Sequence, residues 1–433
     1  MSTLASLTQH PQRLPLHNEV HARPPEPVEQ HTAVSCIVMW ADAAQREASR
    51  AVLHQLLHEM RLPVPAPDAT HLRIDLGSCR LRWELHTEFV SWTWIRPLPT
   101  PLGDVTALPQ ASDAAPVQWL ASLPGQCILA QHLWVLGGES QPARGVPPWL
   151  QEDKLVASRA AGELANVYTD FTVYPDGASR IFVCNKGLPP RRMGRLVQRL
   201  LEIETYRMAA LLGLPAARDS MHALAGLEGE LAQLAGAIRS AEPESEPQLL
   251  DRLTRLAGQV ESQYAACHSR LSASAAYFAL VEQRVADVHE QRLEGNQTIG
   301  DFMERRLSPA RNTCASALLR LEALSQRVSR MSNLLQTRVD INQKQGRQAL
   351  LAAMNERQGL QLKLQSTVEG LSVAAITYYI VGLVSYVAKA AQKWGWPLSP
   401  ETTAALAIPL VAFGVWWSIR KTHQKLLGGS HMH

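Results

Sequence analysis

The sequence predicts an α+β fold with a mixed α/β domain, long helices after it and two membrane-spanning helices towards the carboxyl end. Three observations predict it. Residues 30–188 combine β-rich runs with one helical pattern. Residues 189–366 repeat apolar side chains at the steps of a helix. Two apolar runs follow, each close to the roughly 20 residues that cross a hydrocarbon core of roughly 30 Å.

The α/β domain follows an extended, proline-punctuated arm, residues 1–29. Residues 32–40 are apolar and β-rich, and residues 41–60 have helical spacing, which predicts a strand and then a helix. Further strands are predicted in residues 71–95 (a strand pair turning at Gly77), 126–136, 154–160, 166–174 and 179–184. Residues 98–124, rich in Pro, Ala and Ser, are expected to form an irregular insertion. These elements predict one sheet-containing domain.

Residues 189–366 are expected to form a stalk of long helices. Pro189 and Pro190 suit a helix start. Apolar residues then recur at coiled-coil steps in two segments, as Leu249, Leu253, Leu256, Val260 and Tyr264, and again as Leu321, Leu324, Val328, Met331 and Leu335. The two segments predict antiparallel partners. The second helix is predicted to begin near Pro309 and to continue into the membrane, a length of about 120 Å. A lone helix cannot bury such a seam, so a homo-oligomer is expected.

The predicted spans are residues 367–391 and 402–420, joined by a short external loop, 392–401, and followed by a cytoplasmic tail, 421–433. The alternative is a core hairpin of a soluble protein. Tryptophans near the span ends suit the headgroup region: Trp394, Trp396, Trp416 and Trp417. Basic residues before and after the pair place both termini in the cytoplasm. With no secretory leader, the expected location is the cytoplasmic (inner) membrane, multi-pass, with the lipid bilayer as partner.

Composition and motifs exclude several functions. The net charge of +3, from dispersed basic residues, argues against nucleic acid as a partner. Six scattered cysteines without a CxxC pair argue against a disulfide framework or cysteine zinc site. No P-loop, GxSxG or HExxH motif occurs. The sequence therefore does not predict an enzyme, although a catalytic triad scattered along a chain leaves no local motif.

One face of the first predicted span carries candidate pore-lining residues. They lie seven, three, four and three positions apart: Ser372, Tyr379, Gly382, Tyr386 and Lys389. Such spacing puts them on one side of a helix. The face either lines a pore in the oligomer or packs against another helix, and both interpretations stay open.

Two groups are candidate ligands of a divalent cation, the one cofactor class that the sequence suggests. Glu84, His86 and Glu88 alternate as on one strand face, and His17, Glu19 and His21 form a similar group on the arm. The alternative is a solvated sheet face on which Arg82 pairs with Glu84, with the arm docked by hydrogen bonds.

A third group is basic and lies where a helix begins: Lys186, Arg191, Arg192, Arg195 and Arg199. Phosphate or anionic lipid headgroups suit such a place. The alternative is a solvated basic face that pairs with Glu202 and Glu204.

Three motifs carry a family resemblance. They are LHNEVHARP at residues 16–24, HTEF at 86–89 and TVEGLS at 367–372. With them the chain resembles, over nearly its whole length, an uncharacterised bacterial family of predicted membrane-anchored proteins. That resemblance implies no established activity.

The architecture also resembles the CorA-type metal-ion transporters, over about residues 30–420. This resemblance implies a pentamer whose first span lines an ion pore gated by the cytoplasmic domain. The Gly-Met-Asn signature of that family is missing, and Lys389 stands near its place and would repel divalent cations. The expected function is ion conduction by a CorA-like membrane homo-oligomer. The alternative is a membrane-anchored scaffold or regulatory protein with no pore.

Overall fold

The structure is a computed structural model that describes residues 7–14, 16–17, 24–99, 108–137, 149–393, 395 and 397–427. The chain divides into two compact units. Unit 1 comprises Met1–Ser240 and Gln248–Ser332. Unit 2 comprises Ala241–Pro247 and Asn333–His433.

Unit 1 is built on a mixed sheet. Its strands are β1 (Thr32–Trp40), β2 (His71–Asp75), β3 (Arg80–Leu85), β4 (Phe89–Pro97), β5 (Gln126–Gly137), β6 (Val156–Ala160), β7 (Ala165–Thr169), β8 (Ser179–Asn185) and β9 (Gln291–Arg292). Within the described residues these nine strands form one sheet in the order β2-β3-β4-β1-β5-β8-β7-β6-β9. Neighbouring strands are antiparallel except β5 and β8, which are parallel. The α+β class is confirmed.

The helices are α1 (Ala43–Glu59), α2 (Val117–Ala121), α3 (Pro190–Leu211), α4 (Gly213–Arg239), α5 (Glu246–Val288), α6 (Ile299–Gln392) and α7 (Pro400–Leu427). The predicted helix start at Pro190 is confirmed, with Pro189 as the residue before it. The predicted insertion, residues 98–124, contains α2 and a short 3₁₀ turn at Ala111–Ala114, while residues 100–107 lie outside the described part of the chain.

Strand alternation gives the sheet two different faces. On one face the indoles of Trp83, Trp92 and Trp94 are almost fully buried and pack with α1 into the main apolar core. Trp119 of α2 meets Trp92 edge-on, with ring centroids 5.1 Å apart. On the other face, covered by α3, the same strands present Arg82, Glu84, Ser91 and Thr93. A polar site is therefore enclosed on the second face.

The arm crosses α3 at Gly194. A Cβ atom added there would lie 1.7 Å from the backbone oxygen of Glu26. Only glycine permits this approach. Beyond the crossing, the Val28 amide donates to the carbonyl oxygen of Pro190 at 3.0 Å. The crossing fixes Glu26 beside the second face of the sheet.

Two strand predictions were wrong. Residues 71–95 form three strands instead of a pair, because a second turn at 86–88 reverses the chain, where the His86 amide donates to the Phe89 carbonyl. The strand predicted over residues 166–174 ends at Thr169, where the carboxylate of Asp170 accepts the amide hydrogens of Gln151 and Thr172. Side-chain bonds of this kind replace the strand ladder.

The predicted start of the long helix at Pro309 was also wrong, since α6 begins at Ile299 and contains Pro309. The Glu290 carboxylate accepts the amide hydrogens of Ile299 and Gly300 at 2.9 and 2.7 Å, and the Thr298 hydroxyl accepts that of Asp301. These bonds satisfy the free donors at a helix start. The cap rather than the proline sets the first residue.

The predicted coiled-coil side chains of unit 1 are buried, except Tyr264 and Met331, which are half-buried. The buried ones include Leu253, Leu256 and Val260 on α5 and Leu321, Leu324 and Val328 on α6. Glu282 of α5 pairs with Arg311 of α6, and Arg320 of α6 binds Glu228 of α4 at 2.6 Å. Burial of the seam explains why helices of this length are stable in unit 1.

In unit 2, α6 continues with almost no burial. Glu246, 1% exposed, accepts from the Asn342 amide at 2.7 Å and pairs with Arg338. Beyond that contact no side chain from residue 343 to 371 is buried. By length and composition, α6 and the segment Pro400–Lys421 of α7 are each apolar enough to cross a membrane, with mean hydropathies of 1.8 and 1.6 over their most apolar windows.

Candidate functional site

A cavity of about 290 Å³ lies between the second face of the sheet and α3, and we call it the α3 pocket. The strands contribute Cys36, Arg82, Glu84, Ser91 and Thr93, and α3 contributes Gln198, Glu202 and Tyr206. The arm contributes Glu26. Apolar side chains complete the wall, among them Val34, Val197 and Leu201. A small cavity with a few converging polar groups is the usual form of a small-molecule site.

An ion pair forms the sheet side of the α3 pocket. The Nη2 atom of Arg82 donates to Oε1 of Glu84 at 2.6 Å, and the two side chains are 10% and 12% exposed. Residues two apart on a strand share a face, so β3 places both charges towards α3. The Nε atom of Arg82 is buried and has no hydrogen-bond partner among the described residues. A buried donor of this kind costs about 1–3 kcal/mol if left unsatisfied.

Glu26 extends this charge network to the edge of the sheet. Its carboxylate lies 3.2 Å from Nη1 of Arg80 and 3.6 Å from Nε of Arg73. Arg73 is opposite Arg82 in the register of β2 and β3. Burial, and secondarily the charge of Arg82, lower the pKa of Arg73. The arm thus supplies a carboxylate that the arginines on the strands require.

The helix side of the α3 pocket is tied to α5. Gln198 donates from Nε2 to Oε1 of Glu202 at 2.7 Å, and Arg284 of α5 binds the other oxygen of Glu202. The Gln198 Oε1 atom is buried and has no hydrogen-bond partner within the described part of the chain. Tyr206 stacks on Tyr277 of α5, with ring centroids 6.0 Å apart. The wall opposite Arg82 therefore offers an unused acceptor.

Cys36 brings a thiol to the α3 pocket. Burial raises the pKa of Cys36 to about 11. The Thr93 hydroxyl donates to its sulfur at 3.6 Å. A thiol with this pKa stays protonated near neutral pH and is a poor nucleophile. The α3 pocket is therefore better suited to binding than to thiol catalysis.

The structure separates the three residues Glu84, His86 and Glu88. They do not share a strand as the sequence suggested, because β3 ends at Leu85 and residues 86–88 form a turn. Glu84 faces the α3 pocket, and His86 stacks on Phe89 with ring centroids 4.3 Å apart.

Glu88 instead joins the sheet to α5. It accepts from Arg270 Nη1 and from the Tyr277 hydroxyl, each at 2.9 Å. Burial and this hydrogen bond raise the pKa of Tyr277. Across the described residues, no group of three or more His, Cys, Asp and Glu side chains is placed to hold a metal ion. Of the second predicted group, His17 is exposed, and Glu19 and His21 lie outside the described residues.

The predicted basic cluster lies at the start of α3. Lys186, Arg191, Arg192 and Arg195 are exposed, and Arg199 is half-buried. The expected pairing with Glu202 and Glu204 was wrong, because Arg284 binds Glu202 and Arg207 binds Glu204 at 2.7 Å. Arg207 lies one helical turn from Glu204 on α3, and Arg284 reaches Glu202 from α5. The cluster makes no ion pair with any residue in the described ranges.

The predicted pore-lining residues lie on the more exposed side of α6. Tyr379 and Tyr386 are 72% and 73% exposed, and Lys389 is exposed with its Nζ atom 5.8 Å from the centre of the Tyr386 ring. Ser372 and Gly382 are half-buried, while Thr377 and Ala388 are buried. This face is available to a partner or to lipid.

The sequence did not predict the α3 pocket as a site. Arg82 and Glu84 were predicted to pair on a solvated face; the pair is confirmed, but it is buried. The sequence of β4 contains a signal: the polar residues Ser91 and Thr93 alternate with the apolar residues Val90, Trp92 and Trp94. Glu26 and Gln198 left none, because they reach the site from distant parts of the chain.

A family model described as "Protein of unknown function (DUF3422)" matches residues 8–426. No curated protein matches the chain. No solved structure matches it either.

Proposed function

The chain belongs to the DUF3422 family, and we propose that it is a membrane-anchored homo-oligomer whose unit 1 serves as a regulatory or scaffolding domain in the cytoplasm. One observation carries the proposal: α6 and α7 expose the large apolar side chains of their span segments. Leu371 and Leu410 are each 75% exposed, Val387 67% and Phe413 64%. A bilayer would remove this surface from water at roughly 25 cal/mol per Å².

The requirement for several copies rests on the part of α6 before the first span. Leu350, Met354, Leu360 and Leu364 are each at least half exposed. A helix without a packing partner is marginally stable in water. A second copy of the same helix would cover these side chains. A pentamer, rather than another number of copies, is implied by the CorA resemblance alone.

The proposed orientation follows from charge. Arg347, Arg357 and Lys363 precede the first span, and Arg420 and Lys421 follow the second. Basic residues near span ends favour the cytoplasmic side. Both flanks are therefore proposed to face the cytoplasm, which puts unit 1 there as well.

Ion permeation is the second candidate function. Tyr379, Tyr386 and Lys389 lie exposed on one side of α6, so an oligomer built around that side would place them along its axis. A ring of lysines favours anions over divalent cations. The proposed channel would therefore conduct chloride better than magnesium.

The test begins with the full-length protein in isolated membranes. We expect it to resist extraction by alkaline carbonate, and release into the soluble fraction would contradict the anchor. The purified oligomer is then reconstituted in liposomes, and fluxes of Mg²⁺, Zn²⁺, K⁺ and Cl⁻ are measured separately. A chloride flux that Lys389→Ala reduces, while Lys421→Ala leaves it unchanged, would support permeation. No flux of any ion from an intact oligomer would leave the anchored scaffold as the function.

A further inference from the structure

The α3 pocket has a polar atom without a hydrogen-bond partner on the sheet side and another on the helix side, among the described residues. On the sheet side, the donor Nε of Arg82 lacks an acceptor, and on the helix side the acceptor Oε1 of Gln198 lacks a donor, among the described residues. Arg82 is only 9% exposed. Leaving buried polar groups unpaired is costly, so an occupant that satisfies them must carry both an acceptor and a donor.

The charges of the α3 pocket indicate the kind of acceptor and donor. Arg82 is a guanidinium, which binds carboxylates with charge-assisted hydrogen bonds. On the helix side, the free Oε1 atom of Gln198 is a neutral acceptor, and Glu202, which Arg284 also binds, lies beside it, with 2.7 Å between Gln198 Nε2 and Glu202 Oε1. An ammonium group is a donor that matches both the amide oxygen and the neighbouring carboxylate.

The size and the apolar lining of the α3 pocket further restrict the class of ligand that it can bind. At about 290 Å³ the cavity lies at the small end of ligand sites. It has room for about ten groups the size of a water molecule. Val34, Val197 and Leu201 line the space between the polar groups. An aliphatic side chain would bury against them.

We propose that the α3 pocket binds a free α-amino acid with an aliphatic side chain. The carboxylate contacts Arg82, the ammonium group contacts Gln198 and Glu202 beside it, and the side chain lies against the apolar wall. The site lies wholly in unit 1. It is independent of whether α6 and α7 anchor the protein or conduct ions.

The test is calorimetric titration of the full-length protein in detergent with L-leucine. Two analogues serve as controls: 4-methyl-2-oxopentanoate, which lacks the ammonium group, and 3-methylbutylamine, which lacks the carboxylate. We expect leucine to bind at least about tenfold more tightly than either analogue, because each loses one charge-assisted hydrogen bond. Equal affinity for leucine and the oxo acid would overturn the proposal. So would the absence of binding by any of the twenty amino acids at about 10 mM, the upper end of weak affinity.

A matched pair of variants assigns the binding to the α3 pocket. Gln198→Met removes the buried acceptor at similar length and should weaken leucine binding about tenfold. Gln55 on α1 makes the same bond to the residue four positions on, Glu59, at 2.9 Å, but it is exposed. Gln55→Met should leave leucine binding unchanged. Unaltered binding in Gln198→Met, with its folding checked by circular dichroism, would contradict the assignment.

Discussion

Most large apolar side chains are buried in unit 1, but many of those in unit 2 are exposed. In unit 1, Trp83, Trp92 and Trp94 are at most 1% exposed. In unit 2, Leu371, Tyr379 and Leu410 are more than 70% exposed. A single copy therefore completes the core of unit 1 and leaves α7 and the unit 2 part of α6 largely exposed. Exposed apolar surface of this kind is typical of segments that contact lipid or another protein.

The largest difference is expected between two truncations, one in each unit. Trp92→Ala should lower the free energy of unfolding of unit 1 by about 4 kcal/mol, because it empties a closely packed site. Leu360→Ala, on the exposed part of α6, should change it by no more than about 0.5 kcal/mol. Urea unfolding followed by the fluorescence of the remaining tryptophans measures both. Similar effects of the two variants would contradict the comparison.

A second contrast uses two ion pairs. Arg82→Met leaves Glu84 buried without its partner and should cost about 3 kcal/mol of unfolding free energy. Arg255 and Asp251 pair on the surface of α5, where they are 72% and 61% exposed. Arg255→Met should have almost no effect, because exposed pairs contribute little. The same urea series measures this, and a small effect at Arg82 would mean that water fills the α3 pocket and solvates Glu84.

A third prediction concerns how the stability of unit 1 depends on pH. Burial lowers the pKa of His132 to about 4, from 6.5 for a free histidine, although Asp176 and Asp113 favour its charged form. Between these values the unfolded chain binds a proton that the folded one does not. The stabilising contribution is therefore fully present above pH 6.5 and decreases as the pH falls towards 4. From pH 7 to pH 5 the loss should be about 2 kcal/mol.

His132→Gln tests this dependence. Glutamine can replace the imidazole as a partner of the Ser35 hydroxyl, which lies 2.8 Å from Nδ1 of His132. Urea midpoints at pH 7 and pH 5 should differ less in this variant than in the wild type. His58→Gln, at an exposed position of α1, should keep the wild-type difference. The account of His132 fails if both variants show the same pH dependence.

Local sequence patterns predicted the main helices, whereas the α3 pocket is formed by contacts between distant parts of the chain. Pro190 and the coiled-coil spacing around Leu253 located helices correctly, because their determinants lie within a few turns. The start of α6 depends on Glu290, whose carboxylate reaches across a loop, so the nearer proline misled the prediction. The α3 pocket joins Glu26, Arg82 and Gln198, and no local pattern connects residues so far apart.

Chemical cross-linking in native membranes tests the central contrast between the units most directly. Of the six cysteines, Cys127 is exposed and the other five are buried, so Cys127→Ser gives a background of low reactivity. In it, Leu360→Cys on α6 is compared with Arg255→Cys on α5, after treatment with a bismaleimide. We expect covalent multimers of the full-length chain for Leu360→Cys and monomers for Arg255→Cys. Monomers in both variants would contradict the proposal that α6 packs against other copies of itself.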